Sequence, residues 1–555
     1  MPLRSVSSVL ATIVAIGTGV GLGLTGCRNQ LADPRDSESG DPVERGKTLY
    51  QSRRCINCHG VDALGKSTFP GAPRIVGRSA ADLRLVMLDE CADPEIVNNC
   101  HPLKMPDLTD QQLADLAAYL ASLVGSQLEN PGPMPDAAHG YIYTVAGNGV
   151  SGNQSEDGLM ARQQYLYWPQ NVAVDPQGRA VITDWNNYTI RRIEDEGCRQ
   201  MEDDAGKAGL DCPIVSLAGT GALGDSCSTD SHPIAAVDAT MNHPAGVLFD
   251  DFIPGQHNII LWGWHQWKIK YIPVDAQGKT GEIFCLFGND RGATPDGLPA
   301  GTVGNGQSGP TRFNLPSSCV YDNAGNFYIS DQGNLRIRVV RPDADDDNSS
   351  PEAFVKSRAN NLVSTLAGGL VDDLGNFRRT RSDYSDSGDG GPASLCTLNV
   401  QSGFDAVPQM RLAMDRGRSL LYVADSENGR IRVIDVNLDP PVIDTFAGGG
   451  EDLVADHVPA TQAKLFRPAD VDLTADGSGV LITDTFHHCV RFVDFETRVI
   501  HTVAGVCGPN TGGYEGDGGP APQARLNEPG GSAIAADGTV YIADTLNHRI
   551  RRVNP

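Results

Sequence analysis

The chain has 555 residues, 40% of them hydrophobic and 20% charged, a globular composition rather than a disordered one. Its 44 Lys and Arg against 69 Asp and Glu leave a net charge of -25, which excludes nucleic acid as a partner because phosphate contacts need a basic field. A long apolar run occurs only near the N-terminus, so a polytopic membrane protein is excluded too.

The first segment reads as an address. Arg4 supplies a positive start, Val9 to Leu24 is apolar, and Leu24-Thr25-Gly26-Cys27 follows, the pattern of a secretory signal. The LTGC string resembles a bacterial lipoprotein box. That resemblance implies a signal peptide over 1-26, cleavage before Cys27 and lipidation of Cys27. Residues 27-41 are polar and read as a flexible tether. By the same resemblance, Arg28 after the lipidated cysteine implies the outer membrane. The expected location is the bacterial cell envelope, lipid-anchored and facing the periplasm.

Export changes how the 13 cysteines are read, because an oxidising compartment favours pairing. Close spacing suggests Cys91–Cys100 and Cys198–Cys212, then Cys489–Cys507. Cys227–Cys285 and Cys319–Cys396 follow only by elimination.

Residues 42-125 carry the strongest chemistry. Cys55-Ile56-Asn57-Cys58-His59 is CxxCH, the c-type haem attachment pattern. Cys55 and Cys58 would hold one covalent haem c, and His59 would be the proximal iron ligand. A zinc site would want a second ligand pair, and none is evident. Met105 precedes Pro106 and a helix start, and is the expected second axial ligand, with His101 as the rival. Thr109 and Gln112 form a capping box, and Leu113 to Leu123 has helical apolar spacing. These motifs resemble class I cytochromes c. The resemblance implies a small all-α domain, crossing N- and C-terminal helices, and a proline carbonyl, here Pro73, fixing the histidine. Residues 126-140, with Pro131, Pro133 and Pro135, read as a linker.

From residue 141 the chain repeats. TVAG-like strands recur at Thr144, Ser216, Cys285, Thr365, Thr445 and Thr502, and strings such as YIADTLNHRIRRV (541–553) end each repeat. Short strands at regular spacing in a repeat of this size predict a propeller. The repeat resembles the NHL family, and residues 141-555 are expected to form six blades. Residues near 141–146 should close the blade made by 531–553. The fold class is therefore multidomain, an all-α cytochrome c domain followed by an all-β six-bladed propeller.

Asp184, Asp331, Asp425, Asp484 and Asp544 recur at the turn after the second strand, with Asn187, Asn334, Asn428, His487 or Asn547 three residues on. Recurrence in five blades predicts an architectural role, and the same holds for His488 and His548. Loops carrying Gly388 to Ala393 and Gly516 to Ala521 should crowd one end of the propeller. Blade two breaks the pattern, with Gly263 where Asp should be and Trp262, Trp264 and Trp267 clustered. Those tryptophans either contact a ligand or partner or fill an irregular blade. The acidic run Asp343 to Asp347 is a solvated insertion, and calcium is the ion it could take, with no further support in the sequence.

The combination points to an exported, membrane-anchored c-type cytochrome that passes single electrons to or from a redox partner protein, with the propeller as docking platform. It is an electron-transfer protein rather than a catalyst, and no catalytic residue is readable. One alternative makes the propeller a quinone-dependent dehydrogenase that reduces the haem, its small-molecule substrate unknown. A second makes the chain a structural or adhesive lipoprotein.

Overall fold

The computed structural model describes residues 140–555, apart from 153–156, 203–207, 290, 294, 301–310, 369–387, 402–406 and 452–455. The signal, tether, haem motif, Met105, Cys91–Cys100 and the helices of 42-125 all lie outside the described residues.

Six antiparallel sheets follow one another along the chain. Blade one contains strands Pro169–Val174, Ala180–Asp184, Thr189–Ile193 and Ile214–Ala218. Blade two contains Pro244–Phe249, Ile259–Gly263, Lys268–Ile272 and Phe284–Phe287. Blades three to five begin at Pro316–Tyr321, Leu412–Asp415 and Asp470–Leu473. Blade six takes Gly531–Ile534, Val540–Asp544 and Arg549–Val553, and its fourth strand is Tyr141–Ala146. Ile142 pairs with Val553 and Thr144 with Arg551. This closure predicted from the repeat's phase leaves no open sheet edge at the chain ends. The first strands of neighbouring blades touch in a closed ring around the axis. Apolar clusters fill the seams between blades, such as Val320, Ile337, Leu412 and Val423 between blades three and four.

Each TVAG glycine has a specific cause. Gly147, Gly219, Gly288, Gly368, Gly448 and Gly505 all have positive φ, between 74° and 93°. A Cβ there would lie 2.1 to 2.6 Å from the carbonyl oxygen of the left-handed residue that ends the preceding Asp turn. Only glycine allows strand four to close onto that turn.

The loops with Asp389 and Asp517 do not simply crowd one end. Gly391–Pro392 and Gly519–Pro520 form a fifth edge strand, paired with strand four of their own blade. Their aspartates turn onto buried arginines, described below.

Disulfides join Cys198–Cys212, Cys227–Cys285 and Cys489–Cys507. Of the two pairs reached by elimination, Cys227–Cys285 is bonded and Cys319–Cys396 is not: Cys319 and Cys396 are both free thiols and buried. Cys319 packs with the core between blades two and three, whereas its strand neighbour Val320 and Cys396 pack on the blade-four side. Alternation along the strand thus places blade three's sheet between the two sulfurs.

Candidate functional site

The recurrent aspartates are buried and internally partnered. Asp544 Oδ1 accepts the Asn527 amide at 2.7 Å and the Asn547 side chain at 2.9 Å. Asp184, Asp331, Asp425 and Asp484 each accept one backbone amide in the same way, from Tyr167, Asn314, Asn399 and Phe466. His487 replaces the asparagine in blade five, its Nδ1 2.8 Å from Asp484 Oδ2. Burial pushes Asp184 and Asp331 up to about 6, against the lowering effect of these hydrogen bonds and their arginines.

Seven residues after each aspartate stands a buried arginine, and in blades three, four and six it lies between two carboxylates. Arg551 is 3.2 Å from Asp544 and 2.5 Å from Asp517. Arg432 is 3.3 Å from Asp425 and pairs with Asp389. Arg338 contacts Asp331 at 3.7 Å and Asp296 at 2.9 Å. The aspartates, and the acidic residue of each Gly-Asp-Gly-Gly-Pro-Ala loop, are therefore architecture.

Blade two rebuilds the same site from other residues. Lys270 takes the arginine's place, 2.9 Å from Asp225 and 2.8 Å from the Ser226 carbonyl. Gln266 packs against Gly263 in the space an aspartate side chain would occupy. Burial lowers Lys270 to about 8 despite Asp225. Trp264 is fully buried and Trp262 is 5% exposed, both in one core cluster with Trp185. Two of the three clustered tryptophans are thus core, which is the gap-filling reading, and only Trp267 stays half-exposed.

A feature that the sequence did not disclose is a set of left-handed residues, one per blade. Trp168, His243, Leu315, Met410, Arg467 and Glu528 each have φ between 44° and 55° and lie within three residues of the start of an inner strand. L-residues rarely adopt this conformation without compensation. Proline follows five of the six, and Arg411 follows Met410. The residues ending the Asp turns lie against this set. His488 Nδ1 accepts the Glu528 amide at 3.1 Å, and His548 Nδ1 accepts the Trp168 amide at 3.4 Å. The Tyr188 ring meets His243 edge-on at 5.1 Å. Tyr167 and Trp168 are 37% and 38% exposed at the blade-six to blade-one seam.

Arg411 occupies the axis. Standing where the other blades have proline, it donates to the Gly530, Gln170 and Ala245 carbonyls at 2.9 to 3.0 Å. It also lies 3.6 Å from Asp470. Asp470 in turn accepts from Asn171 and the Ser532 amide. One guanidinium from blade four thus binds blades one, two, five and six. The missing proline before Leu412 was the sequence signal for it.

At the opposite end a 680 Å³ depression is lined by Pro254, Gln256, Pro273, Asp275, Lys279 and Pro351. The acidic insertion is held by protein groups: Asp346 accepts from Asn361 and lies 3.8 Å from Arg358, and Asp347 accepts the Ser349 amide. Among the described residues, no three His, Cys, Asp or Glu side chains converge as a metal cage. Among them, too, no helix is long and apolar enough to cross a membrane.

Comparison with known proteins accounts for the part of the chain before the propeller. Residues 43–124 match the Cytochrome c family model. The chain carries a cytochrome c domain followed by a six-bladed propeller with NHL-repeat relatives. The matched segment contains Cys55, Cys58, His59 and Met105, and this set fits a covalent haem: two thiols, an adjacent imidazole and a later thioether. NHL repeat-containing protein 2 of Gallus gallus is 29% identical over 374 residues, 65% of this chain and 43% of that protein. Protein SUPPRESSOR OF QUENCHING 1, chloroplastic, of Arabidopsis thaliana is 30% identical over 147 residues, 24% of this chain and 12% of that protein. The chain therefore spans less than half the length of these relatives. A solved protein of unknown function from Bacteroides thetaiotaomicron aligns with TM-score 0.44 and 14% identity, over 74% of this chain and 75% of its own.

Proposed function

We propose that the protein is a single-electron carrier of the bacterial cell envelope, with one haem c in its N-terminal domain and a propeller that docks a redox partner protein. The observation that carries this reading is the CxxCH motif with Met105 inside a segment matching cytochrome c. Bound haem supplies a one-electron Fe(III)/Fe(II) couple. Cys55 and Cys58 would hold it covalently, and His59 and Met105 would ligate its iron. Methionine is a soft, neutral donor, and His/Met ligation raises the potential relative to His/His. Cys27 carries the lipid that holds the chain at the membrane, with outer-membrane placement facing the periplasm.

A carrier rather than a catalyst is supported by the axis of the propeller. The charged groups that meet there, Arg411 and Asp470, are engaged by backbone carbonyls, amides and each other.

The test is redox spectroscopy on the haem-loaded chain. A reversible ferric–ferrous change, with a potential that falls when Met105 is replaced by His, supports the reading. Haem reduction by a small molecule only when the propeller is present would replace it with the dehydrogenase reading. An absence of covalent haem after expression with a maturation system would overturn both.

A further inference from the structure

Three donor atoms meet at the mouth of blade two. His243 Nδ1 lies 3.1 Å from His265 Nδ1 and 2.5 Å from Asn242 Oδ1. A neutral imidazole carries one N–H, so a single proton on His243 Nδ1 can serve only one of these neighbours. The two rings meet edge-on, at 88° with centroids 4.8 Å apart, which brings the two Nδ1 atoms side by side. Two nitrogens each about 2.0–2.1 Å from one ion stand about 3.1 Å apart when the angle at the ion is close to 100°. The imidazole pair already has the separation of two adjacent ligands.

The fold holds both rings in place. His243 is left-handed, with φ 52°, ahead of Pro244, and its carbonyl accepts the Trp264 amide at 3.0 Å. His265 sits in the short turn Trp264–Gln266. Trp185 walls the site 4.9 Å from the His243 ring. Both imidazoles are half-buried, and burial lowers their protonation, His243 to about 4. They therefore offer neutral nitrogens at neutral pH, as metal ligation requires.

We propose that His243 and His265, with Asn242 as an oxygen donor, form a site for a divalent transition-metal ion, Cu2+ ahead of Zn2+. Imidazole suits both ions, and the stability order of divalent metals puts copper first. Asn242 Oδ1 is nearer His243 Nδ1 than two adjacent ligands stand, so the amide turns outward on binding. Three protein donors leave further positions to water, which makes the ion exchangeable. The site belongs to the irregular blade, whose other departures from the repeat leave Trp264 and Gln266 on either side of His265.

The test is Cu2+ titration of the full, haem-loaded chain, read by equilibrium dialysis and electron paramagnetic resonance. Expected is one saturable copper with splitting from two nitrogens. His243→Ala and His265→Ala should each weaken it by at least about tenfold. Asn242→Asp should tighten it, because a carboxylate replaces a neutral oxygen. His501→Ala is the control: His457 and His501 stack 6.1 Å apart at 14°, and its loss should leave the copper in place. No saturable binding in the parent chain would overturn the proposal. So would unchanged affinity in the histidine variants. Should an alanine variant fail to fold, His265→Gln keeps a polar side chain there, and equal affinity in it is equally fatal.

Discussion

Arg551 shows how one residue type serves five of the six blades. Its guanidinium is buried between Asp544 and Asp517, so each charge has a partner where water is excluded. Removing the arginine leaves two carboxylates with uncompensated charge. Arg551→Ala should cost about 3–5 kcal/mol of stability, measured as a fall in the urea midpoint. A second residue-scale consequence concerns acid. His488 uses Nδ1 as an acceptor for the Glu528 amide, and burial, then His487, holds its protonation below the usual imidazole range. A depressed folded-state pKa means that the unfolded chain binds the proton more readily. The stability this provides is full above the unfolded value of about 6.5 and is lost as pH falls through the lower folded value. Thermal melts between pH 7 and pH 4 should therefore fall less steeply for His488→Asn than for the parent. Equal slopes would remove His488 from the account.

At the scale of the element, the third and fourth strands of each blade share one irregularity. Their pairing shifts register beside the buried cation, at Ile190/Arg191, Ile337/Arg338 and Ile431/Arg432 among others. The bulge re-aims the strand next to the ion pair, and the glycine that follows strand four lies against the preceding turn. Gly219→Ala would place a Cβ 2.2 Å from the Tyr188 carbonyl at φ +93°. The expected loss exceeds about 1 kcal/mol, and calorimetry on the variant checks it. Gly158→Ala is the comparison, since Gly158 also has positive φ but nothing within 4 Å of its Cβ position. A similar loss in both would assign the cost to φ alone.

At the scale of the whole propeller, two devices tie first blade to last. Tyr141–Ala146 completes blade six, and Arg411 bridges four blades across the axis. A chain beginning at residue 140 should unfold cooperatively, whereas one beginning at 147 exposes the edge of Arg549–Val553 and should self-associate. Size-exclusion chromatography of the two separates these outcomes. Arg411→Ala strands Asp470 and three carbonyls, and should cost at least about 3 kcal/mol. Arg411→Lys cannot reproduce the planar set of donors and should recover only part of it. Full recovery by lysine would show that charge alone matters there.

Local pattern determined much of this protein. Blade number and ring closure were legible because each repeat carries its own alternation and its own glycine, and five of six carry the turn aspartate, so the phase of the repeats reveals what must pair with what; the short fifth edge strands were not. The cytochrome c domain was legible because its attachment motif is local, all of it within the five residues from Cys55 to His59. Disulfides at short range followed from spacing, while Cys319 and Cys396 did not pair, because parity says nothing about which face of a sheet a side chain takes. Only the tertiary structure decided what distant residues do together. Arg411 is a lone arginine in sequence and an axial pin in space, since its partners come from residues 170, 245, 470 and 530. Asn242, His243 and His265 converge because a left-handed turn and the next strand pair bring them there. Long-range convergence depends on ring closure and seam packing, which no single segment encodes.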